Sequence, residues 1–254
     1  MNTPGRKPRR GTARLPILAV TFDVGGTLIE PWPSVGHVYA AVAARHGAKG
    51  LAAGLLNRKF AAAWRAAKRF NHSRSAWATL VDATFRGLTE RPPSRTFFSE
   101  LYARFAAPSA WRIYEDVVPT LEVLAARGLR LGVISNWDER LRPLLERLKL
   151  ARYFEAIIVS REVGSAKPAR RIFDHAVQAL GLPPGAVLHV GDSLSMDVRG
   201  ARAAGLRALL LRRDAGSPRR GQIRSLRELC KPAGEQARGE GAPQAYSHGM
   251  DKSA

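Results

Sequence analysis

The chain of 254 residues carries 41 Lys and Arg against 21 Asp and Glu, a formal charge of +20, with 45% hydrophobic and 24% charged residues. That balance excludes wholesale disorder, collagen-like repeats and a coiled-coil rod, and the length allows one large domain or a core domain with a sizeable insertion. A single cysteine, Cys230, excludes an internal disulfide and a cysteine-based metal site, and fits a reducing compartment.

Residues 1–14 are rich in Pro, Gly and Arg and predict a flexible basic tail, as does the stretch 232–254, which lacks apolar periodicity. The Arg9-Arg10 pair invites an export reading, but the apolar segment behind it is only a few residues long before Asp23. The run from Leu15 to Phe22 is broken by Pro16 and Thr21 and falls short of the roughly 20 residues a membrane span needs. The expected location is therefore the cytoplasm, with no membrane partner. Half of the charge excess lies in residues 1–14 and 212–231, and 33 of the 41 basic residues are Arg. This points to compositional bias as much as to a phosphate-binding face, and nucleic acid is not the expected partner.

Five short, nearly continuous apolar runs, at 17–22, 129–135, 156–160, 187–191 and 207–211, read as fully buried parallel strands. Helical patterns separate the later ones. Ile172, Phe173, Ala176, Val177 and Leu180 share one face, with Pro168 at the start and Gly181 just past the end. Strands alternating with helices predict an α/β fold, a doubly wound Rossmann-like parallel sheet. The stretch 31–111 shows only helical periodicity, in four segments: from Val35 to Val42, Leu51 to Ala67, Trp77 to Leu88 and Phe98 to Phe105. It is expected to be a helical cap domain inserted after the first strand of a core built from 15–30 and 112–231. Such a cap would lie over the carboxyl ends of the strands, where these sheets bind ligands.

Four polar clusters occur at those strand ends: Asp23 with Val24-Gly25-Gly26-Thr27-Leu28, Ser135-Asn136, Lys167, and Gly191-Asp192-Ser193 with Asp197. Each alone has a structural explanation as a helix cap, a turn former or a solvated loop residue. Four of them converging on one crevice predict an active site.

On these residues the sequence resembles the haloacid dehalogenase-like hydrolase superfamily. TFDVGGTL is similar to its first motif, VISN to the second, the lysine of SAKPARRIF to the third and GDSLSMD to the fourth, while 31–111 resembles a C1-type cap. The resemblance implies that Asp23 is a nucleophile forming an aspartyl-phosphate. It implies that Asp23, Gly25 (through its carbonyl) and Asp192 hold Mg²⁺, with Asp197 supporting the metal or holding Lys167. Ser135 and the backbone around Asn136 would bind phosphoryl oxygens, and Lys167 would offset charge on Asp23 and the phosphoryl group. The implied partner is a small phosphorylated substrate, and nothing in the pattern fixes the oligomeric state.

The sequence departs from the family's phosphatases two residues after the nucleophile, where Gly25 replaces an acidic general acid worth about 10² to 10⁴ in rate. The alternatives left open are a slow or specialised hydrolase of acyl or aryl phosphates, a phosphonate-cleaving enzyme with Lys49 or Lys59 as cap lysine, and a non-catalytic phosphate- or nucleic-acid-binding protein. Asp138 and His37 are candidate substitute acids, with Asp138 otherwise expected to cap the helix through Leu141, Leu144, Leu145 and Leu148. Gly25 itself is expected to use φ > 0, which would strain any replacement.

Overall fold

The computed structural model describes residues 15–67, 70–214 and 216–231; the tails expected at 1–14 and 232–254 lie outside them. Six strands, β1 (Ala19–Phe22), β4 (Arg130–Ser135), β5 (Ala156–Val159), β6 (Val187–Gly191), β7 (Arg207–Leu211) and β8 (Gln222–Ile223), form one sheet in the order β5-β4-β1-β6-β7-β8. Every pairing in it is parallel. Strand β1 is central, and Phe22 lies in register with Val133 on one side and Val190 on the other.

The near-continuous hydrophobicity of these strands follows from burial on both faces. Alternate side chains enter opposite layers. Val20, Phe22, Leu131, Val133, Val190 and Leu211 pack with α5 (Val117–Ala126) and α6 (Leu141–Arg147). Ala19, Ile134, Val187, Ala208 and Leu210 pack with α8 (Arg170–Ala179) and α9 (Gly200–Ala203), and the single turn α7 (Ser160–Val163) follows β5. A mixed α/β architecture with a parallel sheet is thus present. The order reverses at β1, whose neighbours β4 and β6 come from later in the chain, and this opens a crevice at the carboxyl ends of the strands.

Between β1 and α5 lie four α-helices, α1 (Val35–Arg45), α2 (Ala53–Ala66), α3 (Arg74–Phe85) and α4 (Phe98–Arg104). Their own core contains Tyr39, Leu56, Phe85, Phe97 and Leu101. Ser34 and Ser73 cap α1 and α3, their hydroxyls accepting from His37 N and Ala76 N. An antiparallel ribbon of β2 (Ile29–Pro31) and β3 (Trp111–Ile113) brackets the helical segment. This ribbon and β8 have no counterpart in the sequence reading, because strands of two or three residues are too short to show a period.

Two local expectations are corrected. Pro168 precedes α8 rather than opening it, since the helix starts at Arg170 behind the extended Ala169. Gly181, at φ 57, does follow the helix in the left-handed conformation that favours glycine there. Helix α6 starts after Arg140, and its Pro143 falls in the first turn, where no intrahelical N–H bond is lost.

Candidate active site

The strand ends bring Asp23, Ser135, Lys167, Asp192 and Asp197 together. Asp23 is 8% exposed, at the end of the innermost strand. Its Oδ1 accepts from Lys167 Nζ at 2.6 Å and from Ser135 Oγ at 3.2 Å. The same ammonium donates to Asp197 Oδ1 at 2.6 Å. Lys167 is 4% exposed and Asp197 1%, so one cation and two carboxylates share a nearly water-free space. Burial alone would discharge the lysine, but Asp23 and Asp197 outweigh it and hold its proton more tightly than usual.

The surroundings fix this triad. Asn136 aligns the backbone of Lys167 with two bonds, accepting from Lys167 N at 2.7 Å and donating to Lys167 O at 3.0 Å. The Asn136 side chain is therefore spent on positioning the lysine, and only its backbone remains for an anion. Asp197 sits in a π-helical segment, Leu194–Arg199, and its Oδ2 accepts from Ser193 N at 2.9 Å. A Cβ at Gly191 would lie 2.2 Å from the Asp197 carboxyl carbon, so only glycine lets β6 end against that side chain.

His189, which the sequence reading passed over, lies fully buried with Nε2 3.2 Å from Asp197 Oδ1 and Nδ1 3.0 Å from Thr21 Oγ1. A carboxylate only accepts, so Nε2 donates to Asp197. Burial opposes the charge on Asp197, but Lys167 and His189 prevail and keep its carboxyl below the usual range. The signal for His189 was its polar interruption of the apolar run from Val187 to Val190.

Asp192 is exposed at the crevice mouth, where its carboxylate completes a cluster with Asp23 and Asp197 whose oxygens lie within 4.8 Å of one another. Its carboxyl is pushed up to about 7, chiefly by desolvation within the crevice and then by the charges of Asp23 and Asp197. Asp23 is raised as well, burial again leading, against the opposing pull of Lys167. Three carboxylates against one ammonium leave a net charge of about −2 if all ionise, and hard oxygen donors so placed suit a divalent cation such as Mg²⁺.

The left-handed conformation expected at Gly25 belongs instead to Gly26, at φ 78, where a Cβ would also meet Asp192 Oδ2 at 2.4 Å. At Gly25 the constraint is steric: a Cβ would lie 3.3 Å from Trp137 Cζ3. The indole therefore borders the place where a general acid would project. Trp137 is fixed by Ser160, whose hydroxyl accepts from Trp137 N at 3.0 Å and donates to Trp137 O at 3.1 Å.

The other candidates fall outside this centre. His37 is exposed and bonded to Ser34. Lys49 is exposed between α1 and α2, and Lys59 lies half-buried on α2. Asp138, fully buried, accepts from Arg140 Nε at 2.8 Å and Nη2 at 2.6 Å and from Trp77 Nε1 at 2.8 Å. Rather than serving as the cap residue of α6, it joins the sheet core to the inserted helices α1–α4, the segment expected to form the cap. Arg140 completes the seam, with its guanidinium 3.5 Å from the Tyr102 ring centroid and Nη1 donating to Tyr102 O at 3.0 Å.

A family described as haloacid dehalogenase-like hydrolase matches residues 17–205. The chain is 34% identical over 209 residues to haloacid dehalogenase-like hydrolase domain-containing protein 3 of Bos taurus, covering 78% of this chain and 83% of that protein. It is also 36% identical over 106 residues to glyceraldehyde 3-phosphate phosphatase of Methanopyrus kandleri, 39% of this chain and 43% of the other. Among solved structures, a HAD phosphatase from Thermococcus onnurineus matches with a TM-score of 0.62 and 27% identity, over 84% of this chain and 96% of that one. A magnesium-bound HAD-hydrolase from Bacillus subtilis shares the fold, with a TM-score of 0.69 at 19% identity over 85% and 97% of the two chains. A doubly wound sheet with acidic groups at its carboxyl edge and helices inserted behind the first strand defines an α/β hydrolase of the haloacid dehalogenase fold. The chain belongs to the haloacid dehalogenase-like hydrolase family.

Proposed function

We propose that this hydrolase cleaves small phosphorylated compounds through an aspartyl-phosphate on Asp23, with Mg²⁺ at the carboxylate cluster. The observation that carries this reading is Asp23 Oδ1 held by Lys167 at 2.6 Å within a cluster of three carboxylates. Lys167 and Ser135 both engage Oδ1, which leaves Oδ2 as the attacking oxygen. It bonds to phosphorus while the bond to the leaving oxygen breaks, the electron pair departing with that oxygen. Water then attacks phosphorus, releases inorganic phosphate and restores the carboxylate. The ammonium of Lys167 offsets charge on the nucleophile and the phosphoryl group, and Asp197, oriented by His189 and Ser193, keeps it in place.

Asp23, Asp192 and the Gly25 carbonyl would hold the ion, with Asp197 at its edge. Bound there, Mg²⁺ supplies charge neutralisation to the phosphoryl oxygens. Glycine at position 25 leaves departure of the alcohol unassisted from that side, which favours acyl and aryl phosphates over alkyl esters. The names of the Thermococcus and Methanopyrus phosphatases agree with phosphoryl chemistry. The working partner is a small molecule in the cytoplasm, with no role for nucleic acid.

The test is a screen of phosphorylated metabolites, including acyl phosphates and phosphonoacetaldehyde, with Mg²⁺ and with EDTA. Turnover is expected with Mg²⁺ and lost in EDTA. In Asp23→Asn, turnover is expected to fall by about 10⁴ or more, as for other lost nucleophiles, with circular dichroism unchanged. Wild-type turnover in an Asp23→Asn protein would remove the nucleophile from its role.

A further inference from the structure

His72, on the loop between α2 and α3, combines two costly features that packing alone does not account for. Its φ is 58, in the left-handed region, and its Nδ1 is buried with no hydrogen-bond partner among the described residues. Strained backbone and orphaned buried nitrogens persist mainly where a function holds them. The residue is only 6% exposed. Its ring lies edge-on to Phe70, Trp77 and Trp64, at centroid distances of 4.9, 6.2 and 6.4 Å. Trp77 in turn donates to Asp138, three residues past the end of β4. His72 therefore stands, through Trp77, on the side of the inserted helices that meets the carboxyl end of β4.

We propose that His72 is the cap's contact to the leaving group of the substrate, one ring nitrogen hydrogen-bonding the group beyond the phosphoryl while the surrounding rings select a flat, uncharged one. This rests on the phosphatase reading and adds a substrate class to it. The guanidinium of Arg140 is committed to Asp138, so it offers no free charge to an anionic leaving group. Burial, aided by Lys167 and Arg140 against Asp138, pushes the imidazole down to about 4. His72 is thus neutral at pH 7 and offers a hydrogen bond, not the proton missing at Gly25.

Two variants separate shape from hydrogen bonding: His72→Phe keeps a ring, and His72→Gln keeps a polar group. His72→Phe is expected to match or exceed the wild-type Tm, because it removes the orphaned nitrogen, while kcat/KM on phenyl phosphate falls about three- to tenfold. His72→Gln is expected to recover part of that loss. A kcat/KM within about twofold of wild type in His72→Phe overturns the inference. A second measurement needs no folded Phe variant. Benzylphosphonate with Mg²⁺ is titrated into ¹⁵N-labelled wild-type protein, the His72 imidazole signals being assigned by their loss in His72→Gln. Benzylphosphonate is expected to shift both the Asn136 amide and the His72 imidazole, and inorganic phosphate the Asn136 amide alone. A shift at Asn136 with His72 unmoved by benzylphosphonate overturns the inference and leaves the phosphatase reading intact. No shift at either residue overturns the phosphatase reading, and the inference with it.

Discussion

The crevice floor and the seam between core and cap both bury charge, but they do so differently. On the floor, Lys167 is shared by Asp23 and Asp197, three groups from the ends of different core segments with no apolar padding between their charged atoms. At the seam, the Asp138–Arg140 pair is enclosed by the rings of Trp77 and Tyr102. The floor is an arrangement for chemistry, with excess negative charge suited to a cation. The seam is neutralised within itself, and aromatic surface carries the contact to the cap. An ionic cluster left with excess negative charge suits ligand binding, whereas a neutralised one suits structure.

The comparison breaks most sharply at Lys167. Lys167→Met strands two buried carboxylates, and removing one member of a buried ion pair costs about 3–5 kcal/mol. Urea denaturation in EDTA should show a loss of that size, and turnover should vanish. A variant as stable as wild type would mean that the floor tolerates its charges unpaired.

Gly25→Asp tests the floor from the other side. The backbone there is not left-handed, so the obstacle is Trp137 Cζ3, 3.3 Å from a Cβ, which must give by a few tenths of an ångström. Alkyl phosphate hydrolysis should rise by up to about 10², with little gain on aryl or acyl phosphates whose leaving groups need no proton. Folded, Mg²⁺-binding Gly25→Asp protein without that gain would show that the missing acid does not limit the site.

At the seam, Trp77→Phe removes one hydrogen bond to a charged acceptor and should cost about 1.5–3 kcal/mol. Faster amide exchange across α3 should accompany it, with activity toward small acyl phosphates reduced less than stability. Exchange rates identical to wild type would deny the indole its role in docking the cap.

The smallest effect lies away from both regions. Asp116 accepts from Arg213 Nη1 and Nη2 at 3.0 Å each, from Ser225 Oγ at 2.7 Å and from Leu226 N at 2.8 Å. Burial opposes its charge, but these donors prevail and hold the carboxyl below its ordinary 3.8. A lowered folded value means that the stabilisation is complete above the unfolded value and is lost as pH falls through the folded one. Wild type should therefore lose stability below about pH 4. Asp116→Asn should flatten that part of the profile; an unchanged slope would assign the acid sensitivity elsewhere.

The sequence by itself determined the layers and the floor. Strands buried on both faces must be apolar throughout, so β1, β4, β5, β6 and β7 stood out as runs, and the helices of 35–104 showed their period. Because a parallel sheet places every strand's carboxyl end on one edge, Asp23, Ser135, Lys167, Asp192 and Asp197 could be gathered from chain order alone. Only the tertiary structure decided what surrounds them. The bond between Trp77 and Asp138 spans 61 residues, and that between Thr21 and His189 spans 168. Neither leaves a local periodicity to read. Nor does the indole of Trp137 beside Gly25, or the left-handed His72, whose Nδ1 has no hydrogen-bond partner among the described residues. Local pattern records which face of an element is buried, while the identity of the atom that meets it there is fixed only when distant segments pack.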